Sequence, residues 1–214
     1  MEAALNWECG MRMTEETVPE ALDADAQLML RFKAGDTEAF DQLFSKHTRA
    51  MINFAYRFVR DRQVAEELAQ EIFLRVYEAA SGYRVQSRFT TWLYRIATNV
   101  CLNEVRKPRF RAAHQPLSGQ QAQDPGPVSG RSQNGGPQRL LERQAISRAL
   151  KEALDRIPEK QRVAFILNKY EELSYAEVAG IMKISEKAVK SLIHRAKETL
   201  AQRLRPLMPE LLDQ

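Results

Sequence analysis

The sequence predicts an all-α protein made of two small helical domains joined by a flexible linker. Apolar residues recur at spacings of three and four on both sides of the centre of the chain, without period-two alternation or hairpin signals. The segment 108–138 holds five of the nine prolines and five of the nine glycines but few large apolar residues. It therefore lacks the apolar surface that would offset the entropy cost of ordering it.

The composition shift gives the domain boundaries. We expect a disordered tail at 1–22, a first domain at 23–107, the linker at 108–138, a second domain at 139–205 and a C-terminal tail at 206–214. A chain of 214 residues that is 44% hydrophobic can bury one core or two small ones. Met1, Met11 and Met13 are three possible translation starts.

Composition excludes several classes of protein. Cys9 and Cys101 are the only cysteines, so the sequence offers neither a disulfide framework nor a zinc site with four spaced ligands. The longest aliphatic-aromatic run, "VAFIL", is far too short to span a bilayer, and we expect a cytoplasmic protein. Since we find no glycine-rich phosphate loop, nucleophile motif or metal-spaced histidine pair, we expect no catalytic residue, no metal and no cofactor.

The first domain is predicted to contain helices near 25–33, 37–60, 63–80 and 90–107. Asp36 or Thr37 is expected to cap the second helix. One stripe of the third helix is apolar at helical spacing and faces the core. The opposite face of that helix carries Glu66, Glu67, Gln70, Glu71 and Glu78. This acidic face is either solvated surface or a binding surface.

The segment from Tyr83 to Arg111 is basic and aromatic. It contains seven basic residues against one acid, Glu104. Cations that contact phosphates, interleaved with flat side chains that stack on bases, are typical of a site for unstacked nucleic acid. Trp92 also belongs to a core-type stripe, so about half of these aromatic residues are expected to be packed inside. Cys101 lies on the same stripe and is expected to be a small buried hydrophobe.

The second domain is predicted to contain four helices, and its last two form a helix-turn-helix. Pro158 begins the second of the four at a first-turn position. Ser174 to Glu177 is a capping box, and Ser185 caps the last helix. The last helix has one apolar face and one polar, basic face, which is typical of a helix that reads the DNA major groove. Ordinary helical hairpins imitate this motif, so alone it is only moderately specific.

Taken together, the two halves resemble an extracytoplasmic-function sigma factor of the bacterial sigma-70 family. The resemblance covers about 25–204 apart from the linker. It rests on four motifs in order, "DRQVAEELAQEIFLRVYEAA", "FTTWLYRIATNVCLNEVRK", "IPEKQRVAFIL" and "LSYAEVAGIMKISEKAVKSLIHRAKETL". The resemblance implies that the first domain is region 2, which binds core RNA polymerase and melts the −10 element. It likewise implies that the second domain is region 4, which reads the −35 element.

The resemblance also implies a role for individual residues. Those expected to bind core polymerase are Glu67, Gln70, Glu71 and Phe73. Those expected to contact the −10 DNA are Tyr83, Arg84, Ser87, Arg88, Phe89, Trp92, Arg95, Asn99 and Arg106. Those expected to contact the −35 DNA are Ser185, Lys187, Lys190, Ser191, His194 and Arg195. A lone His194 without partner ligands indicates no metal.

Two positions depart from the family pattern without removing the motif. Lys183 stands in the turn where the family often has glycine, and an L-residue there is strained if φ is positive. Gly180 stands inside a helix, at a cost of about 1 kcal/mol relative to alanine. The resemblance further implies an anti-sigma factor as a partner, commonly a membrane-bound one. The protein itself is not expected to insert into a membrane.

One rival interpretation is a stand-alone dimeric helix-turn-helix regulator that binds a palindrome. It leaves the motif "AEELAQEIFLRVYEAA" and the basic aromatic segment without a purpose. A linker of this length also makes a rigid half-site spacing hard to enforce.

The linker generates the first testable prediction. Its 31 residues have a relaxed end-to-end distance of about 30 Å and an extended reach of about 100 Å. In the family the two promoter elements lie about two helical turns apart, or about 70 Å. Deleting half of 108–138 should cut the reach to about 50 Å and abolish transcription from promoters that need both elements. Gly-Ser insertions should be tolerated, because loop entropy grows only logarithmically with length. Full activity of the shortened protein in transcription assays would contradict this.

Overall fold

The computed structural model describes residues 23–108, 110, 153–154 and 156–205. The described part of the chain is helical and contains no strand. The expected tails at 1–22 and 206–214, nearly all of the expected linker at 108–138, and most of the first helix expected in the second domain lie outside the described residues.

The first domain consists of α1 (Ala24–Lys33), α2 (Thr37–Val59), α3 (Arg62–Glu78) and α4 (Phe89–Arg106). The residue immediately before each of the first three helices caps it: Asp23, Asp36 and Asp61 each accept a hydrogen bond from a first-turn amide. The negative charge of each aspartate also stabilises its helix, because the N-terminus is the positive end of the helix dipole. Of the two expected caps of α2, Asp36 is the one the structure shows.

Helix α2 is central to the first domain, because it packs against α1, α3 and α4. Leu43, Met51, Phe54 and Phe58 project from it into the core. The apolar stripe expected on α3 is buried at Leu68, Ile72, Phe73 and Val76. Cys101 is fully buried in the same core, as expected, and burial raises the pKa of its thiol.

A buried polar group joins the start of α1 to α2. The carboxylate of Asp25 accepts a hydrogen bond from Lys46 Nζ at 2.5 Å, and its second oxygen lies 2.9 Å from Nε2 of His47. Asp25 and His47 are both buried, so each satisfies the other's polar atoms away from water. The neighbouring Asp23 accepts a hydrogen bond from the amide of Phe89 at 2.9 Å and thereby ties the first turn of α4 to α1.

In the second domain the structure describes α5 (Glu159–Lys169), α6 (Tyr175–Met182) and α7 (Glu186–Leu204). Pro158 is the residue before α5 rather than its first residue. The expected capping box at Ser174 and Glu177 and the expected cap at Ser185 are both present. Lys183, in the turn between α6 and α7, has φ 54°, the left-handed conformation that strains an L-residue.

The two domains contact each other, and most of their buried apolar residues form one continuous cluster. A second, smaller cluster in the second domain contains Ala153, Leu154, Ile157, Ala196 and Leu200. Helix α4 packs against α6 in addition to its contacts with α1, α2 and α3. The four helices predicted in the first domain are all present, and their ends lie within two residues of the predicted ends. The contact between the domains is a tertiary feature that local patterns did not predict.

Gly180 generates the second prediction. It lies inside α6, its backbone φ is not positive, and a Cβ added there meets no atom within 4 Å. Gly180→Ala should therefore raise the stability of the fold by about 0.5–1 kcal/mol, because alanine loses less backbone entropy in a helix. Thermal denaturation should show a rise of a few degrees in Tm. An unchanged or lower Tm would contradict the described placement of this residue.

Candidate polymerase and promoter interfaces

The outward face of α3 carries the residues expected to bind polymerase. Glu67 and Gln70 are exposed, and Glu71 is half-buried and accepts a hydrogen bond from Arg75 at 2.7 Å. Phe73 differs from this expectation, because it is 2% exposed and packs edge-on against Phe44. Phe73 therefore supports this face from below.

Sequence reasoning missed two apolar residues on this face. Leu74 and Tyr77 are 54% and 52% exposed, and they follow Gln70 at helical spacing. Tyr77 rests against Phe32 and Phe40, with ring centroids 5.0 and 5.4 Å away. The available signal was the position of two large apolar residues on the polar side of the α3 helical wheel. The face is therefore mixed, with apolar side chains beside carboxylates and an amide.

The loop between α3 and α4 forms one wall of an open cavity of about 430 Å³. Its lining contains two arginines, two aromatic residues and several small or polar residues. They are Ala79, Ser81, Gly82, Tyr83, Arg84, Gln86, Trp92 and Arg95. Four of these are among the residues expected to contact the −10 element. The cavity combines positive charge with aromatic surface, which suits a single unstacked base.

Tyr83 and Phe89 are both buried, with 2% and 0% of their surface exposed. Their rings pack in an aromatic cluster with Trp92, 4.9 Å from Tyr83 and 5.8 Å from Phe89. The carbonyl of Tyr83 accepts a hydrogen bond from Lys33 Nζ at 2.8 Å. In this conformation neither ring is free to stack on a base, so both support the loop from inside.

The hydroxyl of Tyr83 is buried and has no hydrogen-bond partner among the described residues. Burial, with a smaller contribution from Asp23, raises the pKa of Tyr83 to about 12. The hydroxyl is therefore neutral at physiological pH and retains its hydrogen for donation.

The other residues expected to contact the −10 DNA differ in accessibility. Arg84, Ser87, Arg88 and Asn99 are exposed, whereas Trp92 and Arg95 are half-buried. Arg106 is exposed but forms a bidentate pair with Glu159 of the second domain, at 3.1 and 2.5 Å. The exposed members of this set therefore lie mainly in the loop before α4, with Asn99 further along the helix.

All six residues expected to contact the −35 element are exposed on or beside α7: Ser185, Lys187, Lys190, Ser191, His194 and Arg195. The opposite face of α7 is buried through Val189, Ile193, Ala196 and Leu200. Lys190 Nζ lies 5.7 Å from the ring centroid of Tyr175, and His194 lies 3.2 Å from the Glu198 carboxylate. The structure thus gives α7 one packed face and one accessible basic face, as predicted.

Two absences hold for the described parts of the chain. No helix there is both long and apolar enough to cross a membrane. No group of three or more histidine, cysteine, aspartate or glutamate side chains there is arranged to hold a metal ion.

Family models match both domains. Residues 43–111 match sigma-70 region 2, and residues 147–200 match sigma-70 region 4. The chain is 33% identical over 188 residues to the RNA polymerase sigma-H factor of Pseudomonas aeruginosa, covering 88% of this chain and 97% of that protein. It is 30% identical over 179 residues to the ECF RNA polymerase sigma factor SigW of Bacillus subtilis, covering 82% and 94%.

A solved structure shares the fold. The sigma factor RpoE of Bartonella quintana, in complex with the anti-sigma factor NepR, superposes with a TM-score of 0.55 and 24% identity, over 78% of this chain and 96% of that one. The chain belongs to the sigma-70 family, as a sigma factor of the extracytoplasmic-function type. It acts with core RNA polymerase and promoter DNA in transcription initiation.

The burial of Phe89 generates the third prediction. Phe89→Ala should destabilise the first domain by about 3–5 kcal/mol, because it removes a fully buried ring and leaves a cavity. Transcription should then fall equally on duplex promoters and on templates opened in advance around the −10 element. Arg84→Ala, at an exposed position of the same loop, should leave the thermal melt unchanged. A normal melt for Phe89→Ala would show that its ring is not part of the core.

Proposed function

We propose that the outward face of α3 is the surface that binds core RNA polymerase. Glu67, Gln70 and Glu71 supply polar contacts there, while Leu74 and Tyr77 supply the apolar area that stable protein interfaces bury at their centre. This mixed composition supports a protein partner, because DNA-binding surfaces are basic. Phe73 acts beneath this face as a packing residue.

The loop 83–89 and the start of α4 handle the −10 element in this proposal. Arg84, Arg88 and Arg95 supply positive charge for phosphates, and Trp92 supplies an aromatic wall of the cavity. Extracting a base from the duplex costs a few kcal/mol, and stacking on an aromatic side chain returns about 1–3. Strand opening therefore depends on a few residues at this cavity, with Tyr83 and Phe89 holding its wall in place.

Helix α7 reads the −35 element as intact duplex. Lys187, Lys190 and Ser191 lie on its exposed face, and Ser185 fixes its first turn by accepting a hydrogen bond from the amide of Ala188 at 3.3 Å. Polar side chains on the first turns of a recognition helix reach base edges, and flanking lysine or arginine side chains position the helix on phosphates. His194 and Arg195 follow on the same exposed side.

Promoter opening makes and breaks no covalent bond at residues of this chain. Its free energy comes from binding polymerase and from exchanging base stacking for protein contacts. We place the protein in the cytoplasm, where core polymerase works. We also propose an anti-sigma factor as its partner, supported by the complex with NepR in which a protein of the same fold is found.

A reciprocal pair of variants tests the division of labour. Lys187→Ala with Lys190→Ala should reduce transcription from −35-dependent promoters about tenfold or more, because base and phosphate contacts contribute about 1–3 kcal/mol each. Its affinity for core polymerase should not change. Leu74→Glu should instead weaken binding to core polymerase about tenfold by placing a charge in the apolar part of the interface.

The matched control for the lysine pair is Lys160→Ala with Lys169→Ala. It removes the same charge from exposed positions of α5 in the same domain. Equal transcription defects in the two double variants would show that only net charge matters. Loss of polymerase binding in the Lys187 and Lys190 variant would contradict the assignment of the α7 face.

A further inference from the structure

Helix α4 begins without a cap from its own segment. Arg88, the residue before it, makes no side-chain capping hydrogen bond, and the first turn of α4 contains no acidic residue. The cap comes from Asp23, 66 positions earlier in the chain, whose Oδ2 accepts a hydrogen bond from the Phe89 amide at 2.9 Å. The other oxygen of Asp23, Oδ1, accepts a hydrogen bond from the Asp25 amide at 3.0 Å and caps α1. One carboxylate therefore caps two helices.

The opposite end of α1 holds the start of the loop that precedes α4. Lys33, the last residue of α1, donates a hydrogen bond from Nζ to the carbonyl oxygen of Tyr83 at 2.8 Å. Tyr83 directly precedes the loop 84–88, and Phe89 directly follows it. The two ends of one helix are therefore bonded to the two ends of the loop. We call the bonds made by Asp23 to Phe89 and by Lys33 to Tyr83 the two α1–loop hydrogen bonds.

The loop 84–88 has little internal bonding that could fix its shape. Within the described part of the chain, residues 84–87 make no backbone–backbone hydrogen bond. Arg84, Gln86, Ser87 and Arg88 are exposed, and Val85 is half-buried. A segment with few contacts of its own opens easily. The conformation of this loop therefore depends on the two α1–loop hydrogen bonds at its ends.

Helix α1 is itself fixed in the first domain. Ala26, Met29 and Phe32 are buried, and α1 packs against α2 and α4. The carboxylate of Asp25 also accepts a hydrogen bond from Lys46 Nζ of α2 at 2.5 Å. The ends of the loop are therefore attached to a support that does not move with the loop.

We propose that Asp23 and Lys33 are positioning residues for the −10 element. They act through the loop 84–88, whose conformation sets the shape of the cavity beside it and the reach of Arg84 and Arg88 toward phosphates. Helix α1 thereby takes part in the choice of −10 sequence, although none of its residues lines the cavity. This consequence for promoters rests on the proposed function, whereas the two α1–loop hydrogen bonds exist without it.

Two substitutions in the full chain each remove one of these bonds and leave α1 intact. In Asp23→Ser the new side chain still caps α1, because serine and aspartate are similarly good caps. Its single, shorter-reaching oxygen cannot also accept the bond from Phe89. Lys33→Met keeps an unbranched apolar side chain and removes the donor. Lys33→Arg keeps a charged donor and should behave as the unmodified chain does.

Each of the two substitutions has a matched control. Asp61→Ser makes the same change at the cap of α3, where Asp61 accepts a hydrogen bond from the Val64 amide at 3.0 Å. Lys169→Met removes the same donor from the last residue of α5, which is exposed. Circular dichroism melts should show every variant folded at the temperature of the other assays.

Hydrogen exchange followed by mass spectrometry measures the two bonds directly. In Asp23→Ser the peptide that contains the Phe89 amide should exchange about tenfold faster, because that amide loses its charged acceptor. Lys33→Met should speed exchange of the Tyr83 amide, which is bonded to the Ala80 carbonyl, because the chain there loses its attachment to α1. Both controls should match the unmodified chain in these two peptides.

Transcription from a promoter library randomised at the −10 element, with core polymerase present, measures the consequence. Asp23→Ser and Lys33→Met should each lower the ratio of transcripts from preferred to non-preferred −10 bases about fivefold, because one mispositioned base contact costs about 1 kcal/mol or more. The −35 base preference and the affinity for core polymerase should not change. A general loss of stability would lower all transcripts together, so this ratio separates positioning from folding.

The possible outcomes are distinct. Exchange that is as slow in Asp23→Ser and Lys33→Met as in the unmodified chain would show that the two α1–loop hydrogen bonds do not hold the loop. Faster exchange with an unchanged −10 base ratio would overturn the positioning role, as would an equal fall of that ratio in the two controls. Absence of promoter-specific transcripts from the unmodified chain would instead overturn the proposed function, while the exchange result still decides whether α1 holds the loop.

Discussion

Helix α4 has to bury two sides at once, and this constraint determines which of its residues remain accessible. One side packs on α1, α2 and α3, and another meets α6 of the second domain. Leu93, Ala97 and Cys101 are fully buried as a result. The first two turns of α4 are buried or half-buried, and the exposed polar residues lie in the preceding loop and, further along the helix, at Asn99, Asn103 and Arg106. The charged and aromatic cavity beside Trp92 is therefore located where the buried helix begins.

The remaining helices have a simpler division between a packed face and a free face. Helix α3 buries its apolar stripe against α2 and leaves Gln70, Leu74 and Tyr77 outward. Helix α7 buries its own stripe and leaves its lysines outward. Because one free face is acidic and apolar and the other is basic, the two faces fit partners of different chemistry. This physical difference matches a protein that must hold an enzyme with one domain and duplex DNA with the other.

Local chemistry explains why most helix ends could be predicted. Asp36, Ser174 and Ser185 each cap the helix that follows them, and such signals are encoded within four residues of sequence. The burial of Tyr83 and Phe89 could not be predicted in this way, because a basic aromatic segment has the same composition whether its rings face DNA or the core. The pairing of Arg57 with Glu171 joins residues 114 positions apart, beyond any local pattern. Leu74 and Tyr77 lie on the polar side of the α3 helical wheel, and the local pattern does not encode whether isolated apolar residues there meet solvent or a partner.

This chain gives RNA polymerase its promoter selectivity and does not act on DNA as a separate regulator. The decisive experiment is transcription on a library of promoter fragments with purified core polymerase and the purified chain, paired with footprinting of each protein alone. We expect defined transcripts only when both are present, together with little protection of DNA by the chain alone. Strong palindromic protection by the chain alone, with no promoter-specific transcripts when polymerase is added, would contradict it.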